Sequence, residues 1–188
     1  MNNLKTATRL VGDSVSNKRK ENDFYPTPTW ATEALLCHEE FKGEIYEPAC
    51  GDGAISKVLI GAGFKVVSTD LIDRGYGESG IDFIGCTRTS DNIITNPPFS
   101  LCTEFIAQSK KAARKKIAIF MKTTALEGVK RHKMWLDADF PFARMYQFVN
   151  RVSFGKEEGT HKSGGMMAFA WFVWDKEHVG RPTIEWIK

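Results

Sequence analysis

The sequence predicts an α/β domain built on a mostly parallel sheet, and three observations predict it. Residues 44–53, EIYEPACGDG, read as a short strand running into a glycine turn, followed at 54–59 by a helix with Ile55, Val58 and Leu59 on one face. A second strand at 65–69 ends on Asp70, nineteen positions after Gly51. That is near the spacing of about 20 at which doubly wound folds set an acid against ribose hydroxyls. A third, β-branched strand, DNIIT at 91–95, runs straight into Asn96-Pro97-Pro98-Phe99, and open α/β sheets bind ligands where their strands end.

The other elements follow the same logic. Residues 1–22 are polar, carry Lys18-Arg19-Lys20 and read as a flexible arm; 23–188 read as a single domain with no separate target-recognition domain. A first helix at 30–36 follows Pro26 and Pro28. After the proline pair, Ser100 caps a helix carrying Leu101, Phe105 and Ile106 and ending in the basic run 110–116. A strand at 117–121 comes next, then a helix through 134–136, then late strands at 144–149 and 166–174 joined by a polar loop, with only 176–188 remaining. Seven strands with a closing antiparallel pair complete the expected sheet.

The glycine turn lacks the GxGxxG fingerprint, because Ser56 stands three places after Gly53, and it lacks the GK[ST] of a P-loop. Glu47 and Asp52 flank it. They would repel a diphosphate but suit a ligand carrying ammonium and sulfonium charge, which points to S-adenosylmethionine rather than NAD or ATP. Asp70 suits the ribose diol, and Asp82-Phe83, after the glycine-rich 75–80, offers an acceptor and a ring for adenine.

Asn96-Pro97-Pro98-Phe99 makes a pocket for a planar amine. The prolines donate no N–H and hold an extended backbone, so the Asn96 side-chain oxygen and the Pro97 carbonyl are the acceptors. The amino nitrogen of adenine is a poor nucleophile while its lone pair is delocalised into the ring. Two acceptors on its N–H groups draw it toward tetrahedral geometry and free the lone pair for a methyl on sulfonium, with no strong base required. Phe99 supplies a stacking face. The alternative is a proline-rich turn with Phe99 in the core.

With DFYPTP (23–28), EPACGDG (47–53), TDL (69–71), IDF (81–83), NPPF (96–99), NRVSFG (150–155) and GGMMAFAWFVWD (164–175), the chain resembles the adenine-N6 DNA methyltransferases, particularly the short phage and prophage type. The resemblance implies a Rossmann-like class I fold with a mostly parallel seven-stranded sheet closed by an antiparallel strand. It also implies that Tyr25, Thr27 and Pro28 hold the carboxylate end of S-adenosylmethionine. Glu47, Pro48, Ala49, Cys50, Gly51 and Asp52 would wrap its methionine and ribose, Asp70 and Leu71 its ribose and adenine, and Asp82 and Phe83 its adenine. Asn96, Pro97, Pro98 and Phe99 would be catalytic, and Phe154 would stack on the other face of the target base. The last ring differs from the tyrosine of related motifs and loses its phenol.

A net charge of +3 does not by itself announce a nucleic-acid binder. The run 110–116 reads as a solvated helix end, on the face away from the catalytic loop. Better phosphate candidates are residues 18–20 and 130–133, the latter including Arg131, and Arg151, Lys156 and Lys162 of the late loop. His132 and His161 read as surface residues. Cys37, Cys50, Cys86 and Cys102 show no CxxC spacing and read as reduced thiols, with no metal site; Cys50 is either mildly open to alkylation or a small buried filler. No apolar run is long enough for a membrane span and the N-terminus is polar, so a cytoplasmic protein is expected, monomeric or homodimeric, acting on duplex or single-stranded DNA. With little surface for base readout, its sequence specificity should be short or relaxed. RNA adenine, a protein glutamine amide and cytosine N4 offer the same planar NH2, and a non-catalytic docking module uses the same fold.

Overall fold

The computed structural model describes residues 24–154 and 167–188. The arm at 1–22, Lys156, His161 and Lys162 lie outside the described residues. In chain order the described residues form α1 (Thr29–His38), β1 (Ile45–Glu47), α2 (Ala54–Gly61), β2 (Val66–Ser68), β3 (Ser90–Thr95), α3 (Cys102–Ala112), β4 (Ala113–Lys122), α4 (Val129–Trp135), β5 (Phe142–Phe148), β6 (Phe169–Asp175) and β7 (Thr183–Ile187). The strands make one sheet in the order β2-β1-β3-β4-β6-β5-β7. Strand β6 runs antiparallel to both its neighbours, β4 and β5, and the other pairings are parallel.

A strand buried on both faces must be apolar along its length, and β6 (FAWFVWD) is so up to its last residue, Asp175, which is paired with Arg144 and Lys116. Its side chains alternate between two cores. Phe169, Trp171 and Val173 join Ala118 and Phe120 of β4 beneath Ala31 and Leu35 of α1 and Ile55 and Leu59 of α2. Ala170, Phe172 and Trp174 join Ile117, Ile119 and Met121 beneath Phe105 and Ile106 of α3, with Met134 and Trp135 of α4 packed alongside. Helices therefore cover both faces of a central sheet. The indole N–H of Trp171 donates to the Ala31 carbonyl at 2.7 Å and ties α1 to β6.

Three expectations are corrected. The helix after the proline pair stops at Ala112, and residues 113–116 of the basic run begin β4. Alanine and lysine favour helix, but pairing with acids on adjoining elements outweighs that preference: Arg114 and Lys115 with Asp91, and Lys116 with Glu39 and Asp175. Ser100 does not cap α3; Leu101 precedes the helix without a side-chain cap, inside the 3-10 turn Phe99–Leu101. The tail after the late strands contains β7, which pairs with β5 and buries Ile187.

At the rim where β4 and β5 begin, a polar cluster closes the corner between α1 and the sheet. Arg144 donates to Glu39 at 2.6 Å and to Asp175 at 2.7 Å, Lys116 reaches Glu39 at 2.5 Å, and the Tyr146 hydroxyl donates to Glu39 at 2.9 Å. The site described next lies at the opposite rim. No helix among the described residues is long and apolar enough to cross a membrane.

Candidate active site

Strands β1, β2 and β3 all end on one side of a cavity of about 500 Å3. The residues after β1 turn on glycines: Gly51 and Gly53 have φ of 57° and 82°, the left-handed region that other residues resist. Space also demands glycine there. A Cβ on Gly51 would lie 2.5 Å from the Phe24 ring, and one on Gly53 2.6 Å from the Tyr76 ring. Phe24 itself carries the Arg74 guanidinium 4.2 Å above its face.

Asp70, just beyond β2, locks this turn from the next strand: one carboxylate oxygen accepts the Gly51 N–H at 2.8 Å and the other the Ile72 N–H at 2.9 Å. Each oxygen keeps a further lone pair, and Asp70 lines the cavity. Residues Glu47, Pro48, Ala49, Cys50, Gly51 and Asp52 all line it, as do Asp70 and Leu71, Asp82 and Phe83, and Tyr25 and Thr27 from the segment before α1. Pro28 does not; it precedes the first residue of α1. Asp82 accepts the Ile84 N–H at 2.9 Å, and Phe83 is buried against Tyr46 and Phe105 while forming part of the wall.

Glu47 is 1% exposed and accepts the Ser56 hydroxyl. Burial pushes its carboxyl well above the usual range, against the hydrogen bonds from Ser56, and Asp70 and Asp52 nearby push the same way. Cys50 is 3% exposed, and burial together with the charges of Glu47 and Asp70 lifts its thiol to about 12. It is the buried filler. Burial and the raised pKa suppress the thiolate that alkylation needs.

Asn96 enters the cavity wall from the tip of β3. Its amide NH2 donates to the Tyr25 carbonyl at 3.0 Å and to the Thr27 hydroxyl at 2.9 Å. A backbone carbonyl can only accept, so the NH2 must face it and the Oδ1 is left pointing away from Tyr25. Asn96 and Gly51 border the same open space, so a path connects the proline tip with the glycine turn. Pro98 also lines it; Pro97 is buried and does not, and Phe99 lies just outside.

Phe99 belongs to a circuit of four rings. Tyr25 stacks on it at 5.6 Å and 18°, Phe169 meets it at 5.6 Å, Phe154 meets Phe169 at 5.0 Å, and Phe154 meets Tyr25 at 5.4 Å. Phe154 thus reaches the neighbourhood of Phe99, with the Tyr25 ring touching both. Of the cationic candidates, Arg131 caps its own turn by donating to the carbonyls of Glu127 and Thr124, and Arg151 is exposed just after β5.

No family model and no curated protein matches this sequence. Solved structures do match. A candidate RNA methyltransferase from Pyrococcus horikoshii superposes with a TM-score of 0.62 at 14% identity, over 85% of this chain and 92% of that one. A modification subunit of a candidate type I restriction enzyme from Vibrio vulnificus gives 0.56 at 13%, over 94% of this chain and 47% of that subunit. The magnesium protoporphyrin IX methyltransferase of Synechocystis, solved with bound S-adenosylmethionine, gives 0.55 at 13%, over 79% and 77%.

The fold is that of the S-adenosylmethionine-dependent methyltransferases. Within this methyltransferase fold, sequence reasoning missed four residues around the site. Phe24 and Arg74 line the cavity, Ser56 holds Glu47, and Lys122 ends β4 with its ammonium 4.6 Å from the Phe99 ring centre. Only Lys122 carried a legible signal, as a cation at a predicted strand's C-terminal end.

Proposed function

We propose that this protein is an S-adenosylmethionine-dependent DNA adenine-N6 methyltransferase with short or relaxed sequence specificity. The observation that carries the reading is the Asn96 amide, whose NH2 is tied to Tyr25 and Thr27 so that Oδ1 stands as a fixed acceptor beside the cavity.

The residues of the cavity fit the cofactor. Glu47, Asp52, Asp70 and Asp82 give it four carboxyls, suited to a ligand with ammonium and sulfonium charge and to ribose hydroxyls, and unsuited to a diphosphate. Asp70 and the glycine turn would hold the ribose and methionine, and Asp82 with Phe83 the adenine. S-adenosylmethionine supplies an electrophilic methyl group on sulfonium. The chain's own part is to present the amine: Oδ1 of Asn96 accepts one of its hydrogens at the cavity wall, the main-chain carbonyl of Pro97, a residue buried off that wall, would accept the other, and together they localise the lone pair on nitrogen and stabilise the positive charge that develops there as the new bond forms. The proton then leaves through these acceptors to water, and no basic side chain is needed.

A target adenine must be flipped out or single-stranded to reach the site, and Phe99 and Phe154 supply rings for it. The motifs that resemble phage enzymes favour DNA. RNA is the second reading, favoured by the fold likeness to the Pyrococcus protein. Incubating the protein with S-adenosylmethionine and, in parallel, DNA, rRNA and a glutamine-bearing release-factor-like protein, followed by mass spectrometry, tests both. N6-methyladenine from DNA is the expected product; a methylated amide in the protein alone overturns the reading, and N4-methylcytosine from DNA corrects the base.

A further inference from the structure

We infer that Lys122 binds a backbone phosphate of the substrate strand and so commits this site to a nucleic acid rather than to a protein amide. The inference rests on the amine-methylating reading above and names the substrate class for that same site.

Lys122 is the last residue of β4, partly exposed, and faces Phe169 across the antiparallel pairing with β6. Its ammonium lies 4.6 Å from the centre of the Phe99 ring, directly after the proline pair. Among the described residues no carboxylate pairs with it. The cations at the other end of the sheet and in the last turn of α3 are treated differently. Lys110 is paired with Asp137, Arg114 and Lys115 with Asp91, and Lys116 and Arg144 with Glu39 and Asp175.

The charges around the site are therefore segregated. The glycine-turn side of the cavity carries Glu47, Asp52, Asp70 and Asp82 against one cation, Arg74, which lies over the Phe24 ring, and the ring side carries Lys122. A base that stacks on Phe99 brings its own phosphodiester to the ring side, where an unneutralised ammonium gains a charge-assisted partner. A glutamine side chain on a protein brings the same planar NH2 but no anion. Stacking on Phe99 alone leaves a lysine with its charge unmatched, whereas a phosphate uses both the position and the charge.

The test measures binding of a fluorescent single-stranded oligonucleotide containing adenine to the full chain over a range of salt concentrations, for wild type, Lys122→Gln and Lys122→Arg. Wild type should lose affinity linearly in log salt, and Lys122→Gln should lower the slope by about 0.7, the value for one contact to a single strand. Lys122→Arg should restore it. Calorimetric titration of S-adenosylmethionine should give the same affinity for all three, which shows that the fold and cofactor cavity are intact. An unchanged slope in Lys122→Gln, or a slope lost equally in Lys122→Arg, overturns the phosphate role even where wild type methylates adenine. Absence of oligonucleotide binding by wild type, with transfer to a protein amide, overturns this inference and the DNA reading together.

Discussion

The ring of Tyr25 lies on Phe99, 5.6 Å between centres and 18° from parallel, while the carbonyl of the same residue accepts a hydrogen from Asn96. One residue thus orients the proposed catalytic amide through its backbone and covers the proposed stacking ring through its side chain. A base entering beside Phe99 has to displace that ring.

Tyr25→Ala should therefore lower KM for single-stranded DNA by several-fold, because a ring contact of about 1 kcal/mol no longer competes with the base. The carbonyl that holds Asn96 is retained, so kcat should stay close to wild type. Steady-state kinetics with an oligonucleotide series reads this; a raised KM would show that Tyr25 is itself part of the stacking surface.

Asn96→Ala should reduce methyl transfer by about 100-fold to 1,000-fold, the usual consequence of losing one fixed polar group at a centre where charge develops. Asn96→Asp should be as damaging, because a carboxylate facing the Tyr25 carbonyl sets acceptor against acceptor and the side chain turns away. Single-turnover rates measure the loss, and S-adenosylmethionine affinity, measured separately, should persist in both variants.

The buried Glu47 predicts a pH-dependent cofactor affinity. Its carboxyl is held well above 4.5 in the free protein, chiefly by burial, so it is protonated at pH values where an exposed glutamate is not. A cation seated beside it lowers that pKa. Binding should then release a proton, and affinity should rise with pH until the free-protein pKa is passed. Calorimetry in buffers of different ionisation enthalpy detects the proton, and Glu47→Gln should flatten the dependence. The same raised pKa costs stability as pH rises past the ordinary value, so Glu47→Gln should not lower, and can raise, the neutral-pH Tm.

The corner cluster predicts a stability effect far from the site. Arg144→Met leaves the Glu39 side chain, 3% exposed, with Lys116 as its remaining cation and should cost about 3 kcal/mol in urea unfolding. Burial pushes the Asp175 carboxyl up, but the hydrogen bonds from Arg144 and the Glu177 N–H and the charge of Lys116 outweigh it and hold it below 3.8. Its contribution is complete above that value and is lost as pH falls through the lower folded-state pKa. Acid unfolding should begin at a higher pH in Arg144→Met, since the main cause of the depression is gone.

Much of this was legible in the chain. The glycine turn, the strand-end Asp70 and the strand running into Asn96 are local patterns: β-branched runs, left-handed turn positions and prolines that cannot continue a ladder. The basic run was legible as charge but not as structure, because its switch from helix to strand at Ala113 depends on Asp91 and Glu39, which lie far away in sequence. Strand β7 was missed because a five-residue run with four exposed positions has a weak alternation until β5 pairs with it.

By itself the sequence determined the strands and turns from β1 to β3 and the residues that can form an acidic, glycine-lined cavity beside a proline tip, since those depend on neighbours a few positions apart. Only the tertiary structure decided which way the Asn96 amide faces, that the Tyr25 ring rests against Phe99, and that among the described residues no acid pairs with Lys122. Those relationships join residues 69 to 74 positions apart or, for Lys122 and Phe99, residues at the ends of different strands, and no local preference specifies them until the sheet has brought them together.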